Sequence, residues 1–394
     1  MVSLLRNTVR DYAWGSRTAL PELLGVEPDG EPQAELWMGA HESASSVLPS
    51  GKSLYDLVSA DPTGVLGAET AERFDGRFPF LAKLLAAEQP LSVQAHPSPE
   101  QAREGFAREE AAGIPLDAPD RNYKDTWPKP EILIALEPFD ALVGFQPLNR
   151  TVALLDALGA VGLEELTSLL RDGKLQDAFG QLMSTDRDAI RPLVAALGEA
   201  CRQYDGDAFA VEVETLDRLS QDFPDDPGVL AALLLNRIRL ERFEAVYLPA
   251  GNVHAYLSGL GFEVMANSDN VLRGGLTRKH IDAPELVSVV DFEPLAEPVM
   301  AGTPGPGGVT SYETGCEYFA VHRLDLADGE PVEVAASGPR IVVSVGGTVT
   351  CEAGRNPGGD GVVELSTGQS AFVSGAEAPC NLRGPGTAFV VSAG

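Results

Sequence analysis

The hydrophobic period changes twice along this chain, and those two changes constrain its fold more than any other feature. From Arg77 onward FPFLAKLL, LSVQAHP, PEILIAL and ALVGF are short apolar runs broken by proline, glycine or charge, the pattern of strands and turns. Between Thr151 and Leu240 the period lengthens: Leu154, Leu155 and Leu158, then Leu163, Leu166, Leu169 and Leu170, recur at helical spacing. Asp226 before Pro227 reads as an N-cap with proline at the first helical position, opening a helix through Leu230, Leu233, Leu234 and Ile238. After Arg242 the strand signals return in AVYLPAGNVHAYL, and IVVSVGG, AFVSG and AFVVSAG continue them to the end. The chain is predicted to be mainly β with a helical insertion. A helical block over 150–240 is inserted between β segments, and 301–394 reads as a second barrel or sandwich, with TPGPGG at 303–308 as a linker.

A length of 394 residues calls for two or three packing units, and 44% apolar with 22% charged residues is ordinary globular composition. The opening apolar run is too short for a signal peptide, and no stretch of about 20 apolar residues follows. Cys201, Cys316, Cys351 and Cys380 are scattered without paired spacing, which reads as reduced thiols in a cytoplasm. A net charge of −29 argues against nucleic acid and anionic membranes as partners. It still allows a phosphorylated small molecule wherever lysines and arginines reverse the local potential.

Gln94 and His96 are one residue apart within LSVQAHP, so on a strand they share a face. Glu131 opens an apolar run behind Pro130, and His254 sits among strand formers. Two imidazoles, a carboxylate and an amide oxygen make a plausible ligand set. It suits zinc, while two histidines and a carboxylate also describe the facial triad of non-haem iron. The other three of the five histidines, His41, His280 and His322, fall outside this pattern and read as ordinary interior or surface residues.

The segments YAWGS, AELWMGAHESASS, FPFLAKLLAAEQPLSVQAHPS, NYKDTWPKPEILIAL, YLPAGNVHAYLSGLGFEVMANSDNVLRGGLTRKHID and GQSAFVSG closely resemble type I mannose-6-phosphate isomerases of the cupin superfamily, in the family's order. The resemblance implies a catalytic cupin barrel built from 1–149 and 241–300, a helical domain between them, and a C-terminal cupin-like barrel. It implies zinc on Gln94, His96, Glu131 and His254, with Arg273 as the catalytic arginine. One departure stands out: where many relatives carry histidine before the lysine of KPE, this chain has Pro128, which has no ionisable side chain.

Such chemistry opens a sugar ring and moves a proton between C2 and C1, so it needs a base and a stabiliser of negative charge. Glu263, enclosed by Phe262, Val264 and Met265, is the expected base, with Lys129 as its rival. No glycine-rich phosphate loop is present, so Lys83, Ser92 and Lys279 are the expected phosphate contacts. Trp14, Glu35, Tyr256 and Asp269 lie in the matched motifs and are expected against the sugar or against the groups that support the ligands, with Trp14 equally suited to the core. The implied protein is a cytoplasmic monomer acting on a sugar phosphate. Two rivals are an iron-dependent cupin dioxygenase and a sugar-binding cupin without turnover.

Overall fold

The computed structural model describes residues 1–334, 338–353, 361–377 and 379–394. Its pivot is the 13-residue strand His254–Ala266, which pairs along its length with four other strands. The second half lies between Phe80–Ala87 and Glu131–Ala135, and the first half pairs with Val93–Ala95 and Phe139–Phe145. One strand therefore belongs to both walls of a barrel, which requires a bend. Gly259 supplies it at φ +134°, where a Cβ would lie 2.8 Å from the Phe139 backbone, so no larger residue fits. Among the described residues this eleven-stranded sheet is the larger of two barrel-forming systems.

The second system is a seven-stranded sheet built mostly from the C-terminal region, facing a four-stranded one. Its outermost strand is Val2–Leu5, which crosses from the N-terminus to pair with Ser370–Val373. Residues 2–5 are too short for their periodicity to say which sheet they join. The proposed linker differs from expectation, since Thr303–Pro304 is a strand paired with Val309–Tyr312 across a tight 3₁₀ turn. The two β systems share one apolar core, in which Phe262 stacks on Phe389 at 4.6 Å and Phe78 meets Phe372 at 6.3 Å. Each such ring removed from water contributes about 1.5–3 kcal/mol, so the two units are welded rather than tethered.

Between the barrel strands run six helices, from Leu148–Leu158 to Pro227–Ala232. Leu154, Leu155, Leu158, Leu163, Leu166 and Leu170 are buried together, as their spacing predicts. The last helix stops earlier than the sequence suggests: Leu235–Leu240 is a strand, with Ile238 opposite Ala141. The alternation Leu-Asn-Arg-Ile-Arg-Leu carries both periods, and pairing to Phe139–Phe145 decides for the strand.

Asp226 caps that helix through Gly228 N–H at 2.8 Å, as expected, and does more. The same carboxylate accepts from Leu276 N at 2.7 Å and Thr277 N at 3.1 Å. It thereby clamps the helix to the end of strand Leu272–Gly275, where Gly228 and Gly275 approach so closely that a Cβ on Gly275 would lie 2.3 Å from Gly228 Cα. Asp226→Ala removes a cap and orphans two amides, and should cost about 2–4 kcal/mol in urea denaturation. Asp226→Asn, which keeps one acceptor oxygen, should lose less. Equal stability of Asp226→Ala and the parent would contradict the clamp.

Candidate metal centre

Gln94 occupies the middle of Val93–Ala95, with His254 opposite it on one side and Arg273 on the other. Residues directly opposite across a sheet point to the same face with Cβ atoms about 4.5–5.5 Å apart, so Arg273, Gln94 and His254 form one row. His96 follows two residues later on that face, and Glu131 enters from the start of the strand Glu131–Ala135. Ligand atoms of His96, Glu131 and His254 all lie within 4.8 Å of one another. His254 Nε2 is 3.3 Å and His96 Nε2 3.4 Å from the same oxygen, Glu131 Oε2. The Gln94 amide is 3.3 Å from His254 Nε2, and turning the amide over presents its oxygen to the same point.

Each imidazole is oriented from behind. His96 Nδ1 meets the Asn270 carbonyl at 2.7 Å and His254 Nδ1 the Asn252 carbonyl at 3.2 Å, so the proton sits on Nδ1 and the Nε2 lone pair faces inward. Burial pushes His96 down to about 4, opposed by Glu131, which keeps the imidazole neutral. Burial alone would raise Glu131, but Lys129, at 3.0 Å, and His96 hold it well below the usual carboxylate range. His96 Nε2 and Glu131 Oε2 are buried without a hydrogen-bond partner. Buried lone pairs left unpaired cost about 1–3 kcal/mol each. Two imidazoles, an ionised carboxylate and an amide oxygen converging on one point are a donor set that fits a divalent cation.

Behind this centre lies a second buried layer. Lys83 Nζ is 2.9 Å from Glu263 and 3.5 Å from Glu35, Tyr256 donates its hydroxyl to Glu263 at 2.9 Å, and Trp37 Nε1 donates to Glu35 at 2.7 Å. Burial would lower the Lys83 pKa, but Glu263 and Glu35 outweigh it and hold it above its ordinary value. For Glu263, burial pushes upward against the pull of Lys83. Lys83 is held between two carboxylates, and Glu35 and Tyr256 stand in the network behind the ligands, one of the two places the sequence offered for them.

Arg273 is half-buried, which lowers its pKa, and among the described residues it makes no ion pair. Lys279 is exposed, its pKa lowered by partial burial and by the Arg273 charge. Ser92 is half-buried just before the Gln94 strand, and Trp14, stacked on Tyr12 at 5.7 Å, packs against the apolar cluster that includes Tyr256. Asp269 does not reach Arg273: its carboxylate is 3.2 Å from His41 Nε2. His41, read from sequence as unremarkable, accepts from Ser43 N–H through Nδ1 and packs edge-on to Trp37. No sequence spacing could have joined residues 41 and 269. Both line a cavity of about 590 Å³ with Arg77, Lys124 and Asn267, beside the metal centre but not lined by its ligands.

The fold and this site define a cupin-type β-barrel protein with one buried metal centre. Residues 2–148 match the catalytic domain, and residues 162–235 the helical insertion domain, of type I phosphomannose isomerase. The mannose-6-phosphate isomerase of Escherichia coli K12 is 38% identical over 390 residues, 97% of each chain, and mannose-6-phosphate isomerase 1 of Arabidopsis thaliana is 32% identical over 87% of this chain and 83% of its own. The Salmonella typhimurium enzyme crystallised with fructose 6-phosphate and zinc superposes with a TM-score of 0.90 at 38% identity, covering 100% of this chain and 99% of that one. This chain belongs to the type I phosphomannose isomerase family.

Lys83→Met should destabilise the protein by about 3–5 kcal/mol, because it leaves Glu35 and Glu263 buried without a counter-charge. The raised Lys83 pKa means that the ion pair's contribution is fully present below the unfolded lysine value near 10.4 and fades only above it. Denaturant titrations at pH 7 and 9 should therefore show the same deficit. A deficit confined to one of them, or none, would break this reading.

Proposed function

We propose that this protein interconverts mannose 6-phosphate and fructose 6-phosphate with a zinc ion held by Gln94, His96, Glu131 and His254. The observation that carries the reading is the convergence of buried, unpartnered donor atoms beside an unpaired Arg273, in a family whose relatives are mannose-6-phosphate isomerases. When bound, zinc supplies a Lewis acid beside the sugar carbonyl. The remaining work falls to side chains.

Arg273 stands in line with Gln94 and His254, and its guanidinium is free to meet the oxyanion that develops during proton transfer. Both Glu263 oxygens accept hydrogen bonds, from Lys83 and from Tyr256, and the carboxylate is wholly enclosed. We therefore give the proton-carrying role to Lys129, whose ammonium lies 3.0 Å from Glu131 beside the converging donors, and assign Glu263 to the electrostatics behind it. Pro128 places no competing ionisable group there. The half-exposed Asp269 carboxylate, steadied by His41, accepts sugar hydroxyls. Lys279, with Ser92, takes the phosphate end, and Trp14 borders the cleft.

Free thiols at Cys201, Cys316, Cys351 and Cys380 support a cytoplasmic setting, and we propose a monomer, which light scattering on the eluted protein tests. No helix among the described residues is long and apolar enough to cross a membrane. The dioxygenase and the turnover-free cupin are not favoured, since the matching relatives are isomerases.

A coupled assay should show turnover of mannose 6-phosphate that chelation abolishes and zinc restores, with much lower kcat/KM on mannose. Zinc-loaded protein without turnover, or iron content with oxygen consumption, would defeat the proposal. Arg273→Ala should lower kcat by about 10²–10³ while moving KM less. Unchanged kcat in that variant, folded and zinc-loaded, would remove the arginine from the mechanism.

A further inference from the structure

Asn270 is completely buried, and every polar atom of its side chain is used. Its Oδ1 accepts from Lys124 N at 2.7 Å and Asp125 N at 3.2 Å, and its Nδ2 donates to the carbonyls of Asp125 and Trp127, both at 2.8 Å. Those four bonds hold the turn that leads through Pro128 to Lys129 and Glu131. A fifth bond leaves from the backbone, where the Asn270 carbonyl fixes Nδ1 of His96 at 2.7 Å. The neighbouring residues reinforce the junction: Asp125 Oδ2 accepts from Ser268 Oγ at 3.0 Å and Asp269 N at 2.9 Å.

We infer that Asn270 is a positioning residue that couples the metal-binding face of His96 to the placement of Lys129. An amide is the one side chain of its size with two donors and two acceptor sites, and all are needed to bind a turn presenting both N–H and C=O groups. Aspartate in its place would set oxygens against the Asp125 and Trp127 carbonyls. Alanine would leave buried backbone groups unpaired and let the turn drift. In either case the carbonyl facing His96 moves, and the imidazole loses the bond that fixes its tautomer and direction.

Because coupling is reciprocal, what the turn does for the metal, the metal must do for the turn. In the wild-type protein, adding zinc alone should slow hydrogen exchange across residues 122–127 by roughly 5-fold or more, as the Lys124 and Asp125 amides bonded to Asn270 are tightened. Competition with a chelator should show zinc held about 10–100-fold more weakly by Asn270→Asp and Asn270→Ala than by the wild type. The cobalt-substituted variants should show visible bands that differ in position or intensity from those of the cobalt-substituted wild type. Zinc affinity within twofold of wild type in a folded variant would overturn the inference. So would unchanged exchange across residues 122–127 on zinc loading of the wild type, a measurement that needs no variant to fold. The inference rests on the metal-centre reading but not on sugar turnover. If the wild type binds no zinc, the metal centre itself falls, whereas normal zinc binding without coupling removes only Asn270.

Discussion

Everything in this structure answers to one arrangement: three buried donor atoms, on His96, Glu131 and His254, facing each other within 4.8 Å. Left alone, such an arrangement is unstable, because two of these atoms, His96 Nε2 and Glu131 Oε2, are buried without a hydrogen-bond partner. The fold holds it by overdetermination. His254 and Gln94 are joined in register, Arg273 is joined to Gln94, and the long strand His254–Ala266 ties these to Glu131–Ala135 and Phe80–Ala87. The helical insertion contributes through Asp226, which pins the strand after Arg273 from outside the barrel.

The charges are layered in the same way. Nearest the centre, Glu131 is balanced by Lys129; behind it, Glu35 and Glu263 share Lys83. Arg273 is the exception, a half-desolvated cation with no partner among the described residues. The partial desolvation of Arg273 is a cost that a visiting anion would offset. That contrast separates the lysines that hold the barrel together from the cation that is free for a ligand.

Much of this was legible in the sequence because it is local. The two-residue spacing of Gln94 and His96 sets their common face, the Asp226-Pro227 pair announces a cap, and the leucine spacing after Thr151 marks the insertion. The rest depends on partners far away in the chain. Lys83 looks like a free cation until Glu263 and Glu35 are placed opposite and beside it, and His41 looks idle until Asp269 arrives from 228 residues further on. Leu235–Leu240 and Val2–Leu5 are strands because of what they pair with, and their own residues do not name the partner. Long-range electrostatics and edge pairing are the two kinds of information that a pattern of residue types does not carry.

The account stands or falls on what occupies the point where those donor atoms meet. X-ray absorption at the zinc edge of the purified active protein measures it directly. The account predicts stoichiometric zinc with only nitrogen and oxygen neighbours at about 2.0–2.2 Å, including the outer-shell scattering of two imidazoles. A sulfur shell near 2.3 Å, a single imidazole, or full activity in protein that contains no zinc would contradict it.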